Sequence, residues 1–94
     1  MKRLTIKKSG AHTITLPGNP TAGYEWQYRI NDAALISVLL TINQHAGTVG
    51  SGANFNFEIT GLKTGTTIIT FSYLKPWEKE NPPVKTETFQ LEII

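Results

Sequence analysis

The chain has 94 residues and no cysteine. The length fits one compact domain, and the composition excludes disulfide bonds, cysteine-based zinc sites and a cysteine nucleophile. Nine Lys and Arg residues against seven Asp and Glu residues give a net charge of +2. The basic residues are scattered rather than gathered into the stripe typical of nucleic-acid-binding domains. We therefore expect one domain, residues 1–94, with a packed core and no nucleic-acid partner.

Apolar and polar residues alternate with a period of two along most of the chain. This pattern predicts short β-strands with one buried and one solvated face. The positions predicted to face the core are, in chain order, Leu4, Ile6, His12, Ile14, Leu16, Tyr24, Trp26, Tyr28, Ile30, Phe55, Phe57, Ile59, Ile69, Phe71, Tyr73, Phe89, Leu91 and Ile93. The pattern is ambiguous over residues 31–40. There we predict a single helical turn at residues 33–35, capped by Asn31 or Asp32, and then a short strand at residues 37–40.

Segments rich in glycine and proline separate these strands, at residues 9–10, 17–20, 47–52, 61–65 and 81–83. Six to eight short strands at this spacing predict an all-β sandwich or a small barrel. We favour the sandwich, because the turn at residues 61–65 joins two strong strands in the manner of a crossover between sheets.

Few residues suit catalysis, which needs positioned acids, bases, nucleophiles or metals. The chain has one aspartate, Asp32, and two histidines, His12 and His45, which lack the spacing of a metal-binding pair. Glu78 and Glu80 flank a lysine and are interpreted as a solvated charge cluster. We expect a protein that is not an enzyme, with no metal and no cofactor.

The loop at residues 18–24 combines stiff and permissive backbone positions. Pro20 fixes its own φ and biases Asn19 toward an extended conformation. Gly23 can adopt a positive φ and turn the chain into the next strand. Thr21 and Ala22 would then lie at the apex of a rigid bend, where their small size lets another surface approach. From this loop alone, an ordinary connecting loop is the favoured interpretation.

A second segment, residues 47–53, holds three glycines. It lacks the following Lys-Ser/Thr and the helix that a phosphate-binding loop requires. Two interpretations are open: a flexible hairpin connection, or a backbone-rich segment that hydrogen-bonds to a partner.

The third segment places Trp77 in a charged loop stiffened by Pro76, just after a strand that ends at Tyr73 or Leu74. Tryptophan is the residue most enriched in interface hot spots. An anchor for a partner is one interpretation, and packing over the end of a sheet is the other. Trp26, by contrast, follows the core-facing alternation and is expected to be buried.

Together these segments resemble the chagasin-type inhibitors of papain-like cysteine proteases, whose loops read Asn-Pro-Thr-Thr-Gly-aromatic, Gly-x-Gly-Gly and Arg-Pro-Trp. The corresponding residues here are Asn19-Pro20-Thr21-Ala22-Gly23-Tyr24, Gly50-Ser51-Gly52-Ala53 and Lys75-Pro76-Trp77. The resemblance covers most of the chain from His12 onward, and the three motifs occur in the family's order. The departures are Ala22 for threonine, Ala53 for glycine and Lys75 for arginine.

The resemblance implies an immunoglobulin-like antiparallel β-sandwich of about seven to eight short strands. It also implies reversible, non-covalent inhibition, in which three loops at one end occlude the protease cleft. By resemblance, Thr21 would lie nearest the catalytic cysteine, the glycine-rich segment would follow one side of the cleft, and Lys75 and Trp77 would contact the other. All thirteen residues of the three motifs are therefore predicted to bind the protease.

Two other functions are compatible with the residues. An immunoglobulin-like carbohydrate- or protein-binding module would use exposed Trp77 and Tyr24 without inhibiting a protease. An oligonucleotide-binding barrel would need a basic groove, and the dispersed lysines disfavour it.

The apolar runs are too short to span a bilayer, and residues 1–8 lack the apolar core of a signal peptide. We expect a monomer with no membrane partner and a cytoplasmic location, although a signal removed before residue 1 is compatible with the sequence.

Overall fold

The structure, a computed structural model, describes residues 1–44, 52–78 and 80–94. Its regular elements in that part of the chain are seven strands and one 3₁₀ helix. In chain order they are β1 (Lys2–Ile6), β2 (Ala11–Gly18), the 3₁₀ helix (Pro20–Ala22), β3 (Glu25–Ile30), β4 (Ile36–Gln44), β5 (Ala53–Gly61), β6 (Gly65–Leu74) and β7 (Lys85–Ile93). The predicted all-β class is confirmed. No helix within the described residues is long and apolar enough to cross a membrane.

The strands form a four-stranded sheet in the order β1-β7-β6-β3 and a three-stranded sheet in the order β2-β5-β4. All pairs are antiparallel except β1 and β7, which run parallel from Lys2 opposite Phe89 to Ile6 opposite Ile93. The predicted antiparallel sandwich is confirmed, and the β1–β7 pair is its one parallel exception among the described strands. Parallel neighbours need a long crossover connection, and here the rest of the domain lies between the first and last strands.

The core lies between the two sheets and consists mostly of apolar side chains that the alternation predicted to face inward; Ile36, 3% exposed, also belongs to it and was not predicted. Phe57, Ile59, Ile69, Phe71 and Leu91 have no accessible surface at all. Side chains from both sheets share this cluster, so each sheet buries one face against the other, as two packed layers require.

Two predicted core positions are exposed instead. His12 is exposed because it lies near the start of β2, an edge strand paired only with β5. Tyr28 keeps 43% of its surface accessible because β3 is the edge of the other sheet, although its ring contacts Phe57 edge-on at 5.9 Å between centroids. Alternation fixes which face a side chain occupies, but the lateral position of its strand decides how deeply it is buried.

The ambiguous segment 31–40 forms a turn followed by a long strand. The Asp32 carboxylate accepts a hydrogen bond from the amide of Ala34 at 3.1 Å. The buried Thr67 hydroxyl holds the same turn, because it accepts from the Asp32 amide at 2.9 Å and donates to the Asp32 carbonyl at 3.1 Å. Residues 33–35 form a turn and not the predicted helical turn. The strand runs from Ile36 to Gln44 because all nine positions pair with β5, a length that propensity alone did not indicate.

The topology brings three connections to one end of the sandwich. Segment 61–65 carries the chain from β5 in one sheet to β6 in the other, so the predicted crossover is confirmed. At the far ends of these strands, Gly18 pairs with Ala53 and Gln44 pairs with Ala53 across the three-stranded sheet, while Glu25 pairs with Leu74 across the other. The β2–β3, β4–β5 and β6–β7 connections therefore leave the sandwich together.

Candidate functional site

The β2–β3 loop (residues 19–24) is a tight bend closed by its own backbone. Pro20 begins the 3₁₀ helix, and the Asn19 and Pro20 carbonyls accept hydrogen bonds from the amides of Ala22, Gly23 and Tyr24 at 3.0–3.3 Å. The Thr21 hydroxyl donates to the Asn19 side-chain oxygen at 2.8 Å. The apex is thus pre-shaped, and Thr21 and Ala22 are its exposed residues.

Gly23 ends this bend in the left-handed conformation, with φ +90° and ψ 4°. The predicted positive φ is confirmed. Side chains other than glycine pay about 1–2 kcal/mol to adopt a left-handed conformation, so the bend depends on glycine at this position.

The β6–β7 loop (residues 75–84) lies directly against the β2–β3 loop. A methyl group built on Gly23 would lie 3.0 Å from Cζ2 and Cζ3 of Trp77 and closer still to Cη2. The indole therefore rests on the Gly23 backbone, where only a hydrogen fits. Trp77 nevertheless keeps 64% of its surface accessible. It contacts the neighbouring loop with one part of the ring and presents the rest outward.

The second segment, residues 47–53, meets the end of β2 with its described residues, just before the β2–β3 loop. Gly52 has φ +85°, and a methyl group built on it would lie 2.8 Å from the Gly18 carbonyl oxygen. Ala53 is 2% exposed, so its side chain belongs to the core and only its backbone reaches this end. Gly50 and Ser51, the other predicted members, lie outside the described residues, as does His45.

Tyr73, near the end of β6, holds the β2–β3 loop in place. Its hydroxyl accepts a hydrogen bond from the Asn19 amide at 2.7 Å. Its ring stacks on Tyr24 at 5.0 Å and packs against Trp26 at 4.9 Å between centroids. Trp26 is 4% exposed, as the alternation predicted, and its Nε1 donates to the Pro17 carbonyl at 3.0 Å. Both strands that carry the β2–β3 loop are thereby fixed to β6.

Lys75 is held against this aromatic group rather than left free. Its ammonium lies 4.9 Å from the centre of the Tyr24 ring and 3.8 Å from a carboxylate oxygen of Glu78. Glu78 also accepts a hydrogen bond from the Asn81 side chain at 2.6 Å. The interpretation of Glu78 as a purely solvated charge is therefore wrong: it lies within reach of Lys75 because the loop turns back at Lys75–Glu78, where the amide of Glu78 bonds to the Lys75 carbonyl at 3.0 Å.

The described residues of this surface are suited to contact with a partner. Within residues 1–44, 52–78 and 80–94, no three His, Cys, Asp or Glu side chains lie close enough to hold a metal ion. The site consists of a closed bend at residues 19–24, the exposed indole of Trp77 and the backbone of Gly52, all held at the ends of paired strands.

Residues 5–93 match the sequence pattern described as the chagasin family peptidase inhibitor I42. The chain belongs to the chagasin family of peptidase inhibitors. The match spans nearly the whole chain, and membership confirms the predicted inhibitor class rather than an enzyme.

Relatives within this chagasin family extend over most of the chain. Amoebiasin-1 of Entamoeba histolytica is 35% identical over 91 residues, which cover 96% of this chain and 86% of that protein. Chagasin of Trypanosoma cruzi is 26% identical over 80 residues, which cover 79% of this chain and 73% of that protein. The crystal structure of the cysteine protease inhibitor EhICP2 from Entamoeba histolytica superposes with a TM-score of 0.87 at 30% identity, covering 99% of this chain and 86% of that one. These similarities confirm the immunoglobulin-like fold.

Sequence reasoning about a chagasin-type chain found the loops but missed two residues that position them. The sequence indicates Tyr73 only as a core-facing residue at the end of a strand, and Glu78 only as part of a solvated charge cluster. The alternation placed Tyr73 on the inner face of β6, so its position at the strand end could have indicated contact with the loops. Nothing in the sequence indicated that Glu78 would turn back toward Lys75.

Proposed function

We propose that this protein is a reversible, non-covalent inhibitor of papain-like cysteine proteases, and that the β2–β3 loop, the segment at Gly52 and the β6–β7 loop block the active-site cleft together. The observation that supports this most is the contact of the Trp77 indole with Gly23. It unites two of the three family motifs, which lie more than 50 residues apart in the chain, into one surface. All of the motifs come from one chain, so a single copy is the inhibitory unit.

The rigidity of this end supports tight docking. Association is weakened by the ordering of loops and side chains, and here the loop backbone is already closed by hydrogen bonds and fixed to Tyr73. Small residues at the apex, Thr21 and Ala22, allow a narrow cleft to close around the bend. Trp77 supplies apolar area beside it, in the role that tryptophan commonly plays in interface hot spots.

The same geometry explains how the loop can occupy a protease without being cut. A scissile carbonyl must reach a near-attack position opposite the nucleophile. The carbonyls of Asn19 and Pro20 instead accept hydrogen bonds inside the bend, and reaching an extended substrate conformation would break them. In this proposal Thr21 lies nearest the catalytic cysteine. Gly50 and Ser51 remain predicted contacts on one side of the cleft, and Trp77, with Lys75 beside it, contacts the other.

The residues that depart from the family pattern are expected to contribute to protease binding in different ways. Lys75 lacks the planar fork of arginine, and it already interacts with Tyr24 and Glu78. We therefore assign it to support of the loop more than to bidentate contact with the protease. Ala53 contributes through its backbone, since its side chain is buried.

The test is a titration of papain with the purified protein, followed with a fluorogenic peptide substrate. We expect competitive inhibition, recovery of activity on dilution, and an unchanged chain mass after long incubation. Trypsin serves as the control, because its serine nucleophile and differently shaped cleft should leave it active. Full papain activity in a large excess of folded protein would contradict the proposal, and cleavage of the chain within residues 19–24 would contradict the mechanism.

A further inference from the structure

Strand β4 forms one edge of the three-stranded sheet, and in the described part of the chain it pairs only with β5. It is nine residues long and contains no charged residue and no proline. Three of its apolar side chains are well exposed: Leu39 at 63%, Leu40 at 40% and Ile42 at 43%. An edge strand of this length and character is a ready template for pairing with another strand.

The other three edges of the sandwich carry the features that normally prevent such pairing, namely charges and proline. Strand β1 carries Lys2 and Arg3, β3 carries Glu25 and Arg29, and β2 carries Pro17. Strand β4 also pairs with β5 in one unbroken register, without a bulge to twist its edge away. It is therefore the single unprotected edge among the described strands.

The apolar side chains of β4 other than Leu39 lie on its inner face, and two of them, Leu40 and Ile42, are exposed at the edge of the sheet. Leu40 is opposite Phe57 and Ile42 is opposite Phe55 in the register with β5, and both phenylalanines are almost completely buried. Leu40 and Ile42 lie beside these core positions and remain accessible, because among the described strands none follows β4 in its sheet.

We propose that β4 is a self-association surface, at which the β4 strands of two copies of this chain pair antiparallel about a two-fold axis at Leu40. The two three-stranded sheets then become one six-stranded sheet. A two-fold axis at Leu40 places Leu40 beside its own copy and Val38 beside Ile42 of the partner. Every cross-strand pair on the inner face from 38 to 42 is apolar, and such pairs stabilise a sheet.

The occupant is a second copy because the strand complements itself. No like charges meet across the axis, since residues 36–44 carry none. A charged partner would find nothing to pair with on this strand. When two copies of Val38-Leu40-Ile42 pair antiparallel about Leu40, each apolar side chain on the inner face lies beside another apolar side chain.

The size of the edge sets the strength of the association. Nine residues at about 3.4 Å each span about 30 Å, and a sandwich side about 10 Å thick gives a strip of about 300 Å² per copy. This is well under the roughly 800 Å² per partner of a standard stable interface. The dimer is accordingly weak and forms at high protein concentration, and at low concentration the monomer expected from the sequence is the dominant species.

The antiparallel arrangement also has a consequence that rests on the proposed function. The loop-bearing end lies beyond the C-terminal end of β4, where Gln44 pairs with Ala53. Reversed strands therefore place the two inhibitory ends at opposite ends of the dimer. Both remain free, and one dimer accommodates two proteases.

The test is sedimentation equilibrium of the full chain from about 10 μM to about 1 mM, the range in which a weak interface is half-occupied. We expect the average mass to rise from 10.4 kDa toward twice that value. Leu40→Lys should abolish the rise, because two ammonium groups would meet at the axis. Thr13→Lys, at an exposed position on the opposite edge strand β2, should leave it unchanged.

Leu40 is partly accessible, so a lysine there can reach solvent and the variant should fold; its thermal transition is measured first. Leu39→Lys, at a more exposed position on the outer face, is the second variant and should weaken the dimer by about tenfold. A constant mass of 10.4 kDa up to 1 mM, or association that survives Leu40→Lys, would overturn the proposal.

Papain inhibition by Leu40→Lys should equal that of the parent chain. A parent chain that associates but does not inhibit papain would count against the proposed function and not against the dimer.

Discussion

Replacing Gly23 with alanine tests whether the contact between the two loops is needed for inhibition, because the change should alter the loops while the sandwich remains folded. The new methyl group would occupy the space of the Trp77 indole, 3.0 Å from Cζ2 and Cζ3. The backbone at φ +90° would also be strained. Because Trp77 is largely exposed, the indole can move away without disturbing the core, so the change displaces the proposed anchor while the fold remains.

The magnitudes follow from these two effects. A left-handed conformation costs an alanine about 1–2 kcal/mol, which in a domain of this size lowers the melting temperature by roughly 5–15 °C. Loss of a tryptophan anchor costs about 2 kcal/mol of binding or more. That corresponds to a Ki for papain raised at least about 30-fold.

Gly65→Ala is the matched control. Gly65 also has a positive φ, +145°, and its added methyl group would lie 3.0 Å from Cδ1 of Leu35. It begins β6, and Leu74 at the other end of that strand is about 30 Å away. We expect a similar loss of melting temperature with an unchanged Ki. A Gly23→Ala protein that inhibits papain within twofold of the parent chain would refute the reasoning about this contact.

Three other outcomes are expected. Trp77→Ala should raise the Ki for papain about 30-fold or more while leaving the melting temperature nearly unchanged, since most of the indole is exposed; unchanged inhibition would remove its role as an anchor. Tyr73→Phe deletes only the hydroxyl that accepts from the Asn19 amide. It should accelerate hydrogen exchange at that amide and raise the dissociation rate several-fold, whereas exchange equal to that of the parent chain would show that the hydrogen bond does not hold the loop. Phe57→Ala, at a fully buried position, should lower the free energy of unfolding by about 3–5 kcal/mol in urea denaturation, and a loss under 1 kcal/mol would contradict the assigned core.

Much of the fold could be predicted because period-two alternation reports which side chains face inward. It identified the large apolar side chains that are fully buried in β5, β6 and β7, but not Thr67, which is 1% exposed. It could not predict lateral order, because alternation is the same in a central and an edge strand. The exposure of Tyr28 and Leu40, and the parallel pairing of β1 with β7, depend on which strands are neighbours, and that is a property of the whole chain.

The site was predictable where backbone chemistry dictates conformation. Pro20 and Gly23 have restricted or special φ values, and the sequence shows them directly. The contact of Trp77 with Gly23 joins positions 54 residues apart, and no local pattern encodes it. The same holds for the hydrogen bond from Asn19 to Tyr73, which depends on β3 and β6 being neighbours in one sheet.

The central claim is that residues from three separate segments act as one protease-binding surface. The most direct measurement is the set of backbone amide shifts of the isotope-labelled chain on addition of papain whose active-site cysteine is blocked by a small reagent. We predict that the largest changes are confined to residues 18–24, 50–53 and 75–78. Changes centred on the outer face of either sheet, or changes in only one of the three segments, would contradict the claim.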